Sequence, residues 1–153
     1  MHTVSDDKAI GVPLNQFLIG GAWAGLTAAL INNIYSFIYT SITGFSASGA
    51  VNIFTVAIAS FIPLMLAALV YYLLSYSTSK PTTYFIILSV ILTMFSERLR
   101  VFAIYVYEYD VPVAFYGLIL PMNFMAGAVA AIVIPLYIVR KGWKKRVKEQ
   151  EHA

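Results

Sequence analysis

The sequence predicts an all-α integral membrane protein whose four transmembrane helices pack as a compact bundle, with both termini in the cytoplasm. The composition is the first reason: of 153 residues, 60% are hydrophobic and 11% are charged, and the mean hydropathy is +0.79. So few charges cannot cover a solvated surface. The second reason is that all eleven tyrosines lie near the ends of four long apolar runs. A tyrosine ring prefers the lipid–water interface, so this placement marks where helices leave the bilayer.

Each apolar run is long enough to cross a bilayer. A spanning helix needs about 20 apolar residues, and the runs are continuously apolar, unlike the alternating strands of an outer-membrane barrel. We place the spans at residues 15–39, 51–74, 83–107 and 113–139 of a single domain, followed by a basic tail at residues 140–153.

Basic residues predict the orientation of these spans. The loops at residues 40–50 and 108–112 carry no lysine or arginine. The tail, by contrast, carries a dense cluster of them: Arg140, Lys141, Lys144, Lys145 and Arg146. Because cytoplasmic segments are enriched in basic residues, we expect both termini on the cytoplasmic side of the cell membrane. The same tail side chains are candidates for contact with anionic lipid.

The first run has a competing interpretation as a cleavable signal peptide. Ala47, Ser48 and Gly49 faintly resemble a small-residue cleavage site. Against this, Asp6 and Asp7 precede the run, and the run is far longer than the roughly 7–15 residues of a signal core. We therefore favour a retained helix.

Polar residues inside the spans form the candidate site. At 100° per residue, the polar positions of span three share one stripe, and a matching polar face follows span one. With a rise of about 1.5 Å per residue, the asparagines and charges fall at or beyond the midplane, toward the outside. The predicted intramembrane cluster, which either binds a ligand or is structural, comprises Asn32, Asn33, Ser36, Thr93, Glu97, Arg100 and Asn123.

Glu97 and Arg100 are three residues apart, so they can pair along one helix face. Charges in hydrocarbon cost about 2.5–3.5 kcal/mol each on insertion scales, and they usually face protein or water. Two roles are possible for Glu97 and Arg100: a structural ion pair, or part of a site that binds a ligand or ion. A third reading is that the helix ends near Arg100 and that both charges lie among the headgroups.

Small residues predict where helices approach closely. Gly21 and Gly25 form a GxxxG motif in span one, which lets a second backbone come near. Span four has small residues at a similar depth. We expect helices one and four to touch through Gly21, Gly25, Ala28, Gly127 and Ala130, and simple packing is the commoner role of such motifs.

Three prolines lie inside predicted helices, at positions 63, 121 and 135. Proline has no N–H, so Pro121 leaves the Gly117 carbonyl without its helical donor. Kinked helices around polar side chains are one way in which a small bundle opens a cavity.

The remaining residues offer little chemistry. The chain has no cysteine, and its two histidines, His2 and His152, lie in the terminal tails. Haem and thiol redox sites need ligands of those types. No carboxylate pair has the spacing of a metal site, and no nucleotide-binding or hydrolase motif is present. The sequence therefore predicts no catalytic residue, no metal, no cofactor and no nucleic-acid partner.

Two functions stay open after these exclusions. The first is a non-catalytic subunit that assembles with itself or with a larger membrane complex, and that has lipids and other membrane proteins as partners. Such a subunit could also hold lipid or a cofactor between its helices. The alternative is a small-solute or ion transporter or channel, with Glu97, Arg100 and Asn123 open to the outer side. The first is favoured because only one acidic residue lies within a span.

Overall fold

Four α-helices follow one another along the chain: α1 (Leu14–Thr43), α2 (Ile53–Ser77), α3 (Pro81–Tyr107) and α4 (Val113–Glu151). The computed structural model describes residues 12–45, 51–107 and 112–151, without the side chains of residues 97, 99–107, 145–146 and 148–151. The predicted all-helical class is confirmed within these residues.

Local signals in the sequence set three of the helix ends. α1 ends at Gly44, which takes the left-handed conformation (φ 69°) and donates its N–H to the Thr40 carbonyl, a role that favours glycine. α2 begins after Asn52, whose side chain accepts the Thr55 N–H at 3.0 Å while the Thr55 hydroxyl accepts the Asn52 N–H at 2.9 Å. This reciprocal capping fixes the start of α2. α3 begins at Pro81, where a missing N–H costs nothing.

Helix α1 packs along both α2 and α4, and α3 packs against α2 and α4 on the other side of the bundle. Among the described residues, no Cα of α1 lies within 8 Å of a Cα of α3. The main apolar core draws on all four helices and includes Phe17, Leu64, Phe85 and Ile134. A second, smaller core lies toward the start of α4 and contains Val56, Leu118 and Met122.

Three of the helices are long and apolar enough to cross a membrane: Leu14–Thr43, Ile53–Ser77 and Val113–Lys144. The described apolar part of α3, Pro81–Ser96, is shorter than a span. α3 nevertheless continues as a helix to Tyr107, so the prediction that the helix ends near Arg100 is wrong. The placement of Glu97 and Arg100 among the headgroups stays a prediction. α4 continues beyond residue 139 through the basic tail as one helix of 39 residues.

The GxxxG motif of α1 packs against α2. A β-carbon added to Gly21 would lie 2.6 Å from the β-carbon of Ala68, and one added to Gly25 would lie 2.7 Å from Cδ2 of Phe61. The prediction that these two glycines contact α4 is therefore wrong. The motif does bring two backbones close together, because the Phe61 Cα is only 3.1 Å from the same Gly25 position.

The neighbouring glycine supplies the close approach to α4. A β-carbon on Gly20 would lie 3.1 Å from the Tyr137 ring of α4. On α4, Gly127 faces Thr93 of α3, because an added β-carbon there would collide with the threonine side chain. Ala28 and Ala130 are both buried in the main core. Small residues on α1 and α4 thus serve three different helix pairs.

Aromatic contacts join the helices at the end of the bundle where α1 and α3 begin. The Tyr71 ring of α2 is fully buried, lies 5.6 Å from the ring of Phe17 and 4.8 Å from that of Phe85, and its hydroxyl lies 2.8 Å from Thr82 Oγ1. A tyrosine that was expected to mark the lipid interface therefore also links α1, α2 and α3.

Candidate functional site

Asn32 of α1 is the most buried polar side chain at the predicted depth, with 3% of its surface exposed. It lies about 16 Å along the helix from the end of α1, near the middle of a bilayer-sized helix. Its Nδ2 donates to Oγ of Ser60 on α2 at 3.0 Å. Its Oδ1, although buried, has no hydrogen-bond partner among the described residues. The amide nitrogen of Asn32 therefore has a hydrogen-bond partner, and the amide oxygen has none among the described residues.

A cavity of about 320 Å³ lies beside Asn32, between α1, α2 and α4. We call it the polar cavity. It extends from Val51 and Phe115, near the helix ends, to Ala126 in the middle of α4. Its polar lining comes from side chains on three helices: Asn32, Thr55, Ser60 and Asn123. The rest of the described lining is apolar, so the polar cavity combines apolar walls with a few hydrogen-bonding side chains.

A second cavity, the side cavity, of about 380 Å³ adjoins the first between α2, α3 and α4. Ala59, Asn123 and Ala126 line both cavities. The α3 side contributes hydroxyls: Thr93 donates to the Ser89 carbonyl and Ser96 to the Thr93 carbonyl, both at 2.8 Å. Because these hydroxyls donate to carbonyls of their own helix, they can act only as hydrogen-bond acceptors toward other groups.

Helix prolines shape the surroundings of the polar cavity. Pro121 cannot donate to the Gly117 carbonyl, and the Tyr35 hydroxyl of α1 donates to that oxygen instead, at 2.7 Å. One turn further along α1, the Tyr39 hydroxyl donates to the Ala114 carbonyl at 2.7 Å. The two tyrosines therefore tie α1 to the first turns of α4. The carbonyl freed by Pro121 was predicted, and its partner was not.

The structure divides the predicted polar cluster. Asn32 and Asn123 line the polar cavity together, and Thr93 joins Asn123 in the side cavity. Asn33 and Ser36 lie in a separate groove between the outer faces of α1 and α2, where Asn33 Nδ2 donates to the Ala29 carbonyl at 2.8 Å. Adjacent residues on a helix point about 100° apart, so Asn32 and Asn33 serve different surfaces.

Several predicted residues fall outside the description of side chains. Glu97 and Arg100 lie on the helical backbone of α3, and their side chains are outside the described residues, so the predicted pairing stays a prediction. The side chains of Lys145 and Arg146 are also outside it.

The described part of the basic tail presents its charges to the surroundings: Arg140, Lys141 and Lys144 are exposed, next to an exposed Trp143. The ammonium of Lys141 lies 5.4 Å from the centre of the Tyr137 ring, within the range of a cation–π contact. The segment before α1 supports this region, because Val12 is buried and approaches Gly142. The arrangement agrees with a cationic, aromatic surface at this end of the bundle.

Sequence reasoning missed Ser60 and Thr55, the hydroxyls that α2 adds to the polar cavity. Both lie in a strongly apolar helix, where a single hydroxyl normally bonds its own backbone. A usable signal was present, since Ser60 lies on the turn preceding Pro63, where the helical ladder is interrupted.

Comparisons with protein-family models, with curated proteins and with solved structures each found no match to this chain. The class of protein therefore rests on its own fold: an α-helical bundle in which three helices are long and apolar enough to span a membrane. This architecture is compatible with a membrane protein.

Proposed function

We propose that this chain is a non-catalytic, multi-pass protein of the cell membrane that works as an assembling subunit, with four spans and both termini in the cytoplasm. In this proposal α3 is the fourth span and the surface of assembly. Its partner is another membrane-embedded helix, from a second copy of the chain or from another subunit, and the basic tail contacts anionic lipid.

The observation that carries the proposal is how little of α3 is buried. Of its described side chains only Pro81 and Phe85 are buried, and the side cavity separates part of its inner face from α2 and α4. Ile87, Ile91 and Met94 are each at least half exposed and lie on one face by helical spacing. In lipid, helices associate through close packing of such faces.

Assembly through α3 is tested by the mass of the gently solubilised particle. We expect a particle larger than one chain. The double variant Ile87→Ala/Ile91→Ala should reduce it to a single chain, since it removes packing atoms from the proposed contact face. The matched control is Ile58→Ala/Ile62→Ala on α2, which has the same spacing and similar exposure and should leave the mass unchanged. A parent protein that is already a single chain would contradict the proposal.

The proposed topology is tested by labelling single cysteines, which the chain otherwise lacks. Cysteines at Ser46 and Asp110 should react with an impermeant thiol reagent added outside cells. One at Ser77 should react only after the membrane is opened, because the loop near Lys80 is assigned to the cytoplasm. Labelling of Ser77 from outside would overturn the orientation.

The second candidate function is a small-solute or ion transporter or channel that uses Glu97, Arg100 and Asn123. It is favoured by the two adjoining cavities, which share Asn123; one is lined by hydroxyls of α2 and the other by hydroxyls of α3. A monomeric particle that catalyses solute flux in proteoliposomes would select this candidate over the subunit.

A further inference from the structure

The Asn32 carbonyl oxygen is an unusual feature for the interior of an apolar bundle. A buried amide oxygen without a partner loses its hydration and gains nothing in return, and most buried polar atoms in proteins have partners. Here the same side chain is held in place, because its Nδ2 donates to Ser60 at 3.0 Å. The free Oδ1 therefore has a fixed position, and Asn32 is one of the residues that line a cavity of about 320 Å³.

The lining of the polar cavity defines what can pair with this oxygen. None of the described residues that line it is ionisable, so a charged group would enter without a counter-charge and lose its hydration. An amide oxygen accepts hydrogen bonds only, so its partner must donate an N–H or O–H. Apart from its two asparagines and two hydroxyl side chains, the described lining is apolar and includes Val51, Ile119 and Met122.

We infer that the polar cavity is a binding site for a small uncharged molecule that has an apolar body and an N–H or O–H group donating to Oδ1 of Asn32. Primary amides and alcohols have this chemistry. The Ser60 hydroxyl accepts from Asn32 and keeps a proton of its own, and Asn123 adds amide groups from α4. The site is separate from the exposed face of α3 and does not depend on assembly.

The donor requirement is tested with two probes of the same shape class. Benzamide carries two N–H donors, and N,N-dimethylbenzamide carries none. Binding of each is measured by equilibrium dialysis against the full chain in lipid nanodiscs, with empty nanodiscs giving the partition into lipid. We expect benzamide to bind above that background about tenfold more tightly than N,N-dimethylbenzamide, the effect of about one lost hydrogen bond.

Two asparagine variants locate the site. Asn32→Leu removes the acceptor and should lower benzamide affinity about tenfold. Asn33→Leu is the matched control, because it makes the same change one residue along, where the side chain bonds its own helix outside the polar cavity. It should leave binding unchanged. The comparison of the two probes uses the parent protein, so it holds even where a variant does not fold.

Equal binding of the two probes would overturn the inference, and so would benzamide binding that survives Asn32→Leu in a folded protein. Failure of both probes to bind above empty nanodiscs would also overturn it, and would indicate a cavity that holds only water. None of these results depends on the mass of the solubilised particle, which is the measurement that tests the subunit proposal.

Discussion

Gly21→Ala is expected to lower the free energy of unfolding by about 1–3 kcal/mol, the usual cost of overpacking a tight contact. The added β-carbon would lie 2.6 Å from the Ala68 β-carbon and 3.1 Å from the Leu64 carbonyl oxygen. Neither neighbour is the flexible end of a side chain, so α1 and α2 have to move apart. Reversible chemical unfolding of the protein in mild detergent measures the loss.

The control is the same substitution at Gly142, which also lies in a helix. There a β-carbon would make an ordinary contact, 3.7 Å from Cγ2 of Val12, and alanine favours a helix over glycine by about 1 kcal/mol. Gly142→Ala should therefore leave stability unchanged or raise it. Equal losses for the two variants would show that the backbone contact of α1 with α2 is not what Gly21 provides.

Tyr35→Phe is expected to destabilise the bundle by about 1–3 kcal/mol, because it leaves the half-buried Gly117 carbonyl without a donor. In the parent protein, the Tyr35 hydroxyl donates to Gly117 at 2.7 Å, and Pro121 has no N–H to take its place. Tyr84→Phe is the matched control, since the Tyr84 side chain is 51% exposed. Tyr84→Phe should lower the free energy of unfolding only slightly.

The proline makes this explanation testable by a double-mutant cycle. Pro121→Ala returns an N–H one turn after Gly117, so the carbonyl regains a helical partner. In that background, Tyr35→Phe should cost clearly less than it does in the parent, and the difference is the coupling between the two sites. The same cost in both backgrounds would mean that Tyr35 acts by packing alone, independently of the freed carbonyl.

The class of fold could be predicted from the sequence because composition and hydrophobic run length are local properties. Four helices form over the four apolar runs, and three of them meet the length and apolarity of a span. The third run is different, since its described apolar part ends at Ser96. The sequence pattern there mixes apolar residues with charges, and such a pattern leaves the membrane boundary undetermined.

Helix partners could not be predicted to the same degree. Gly20 and Gly21 are adjacent, so they point about 100° apart, one toward α4 and the other toward α2. A small-residue motif shows that some backbone comes close, and it contains no information on which one. The correct partner of Gly21 depends on Ala68, a residue that looks unremarkable in an alanine-containing apolar helix.

The candidate site was predicted in part. Asn32 and Asn123 were expected at one depth, and they do line one cavity. The contribution of Ser60 was not predicted: Pro63 marks the turn on which Ser60 lies, but its pairing with Asn32 depends on the rotation of α2 relative to α1. Asn33 was grouped with Asn32 through proximity in sequence, and the structure places it in another groove.

The contacts of α1 with both α2 and α4 imply an order of packing during synthesis. Its GxxxG face meets α2, the next helix to be made, so this hairpin can close early. Other groups of α1 contact α4, the last helix to be made. These groups are Gly20 and the hydroxyls of Tyr35 and Tyr39. Since chains are made from the N-terminus, these groups stay without their partners until translation of α4 is complete, and α4 closes the bundle.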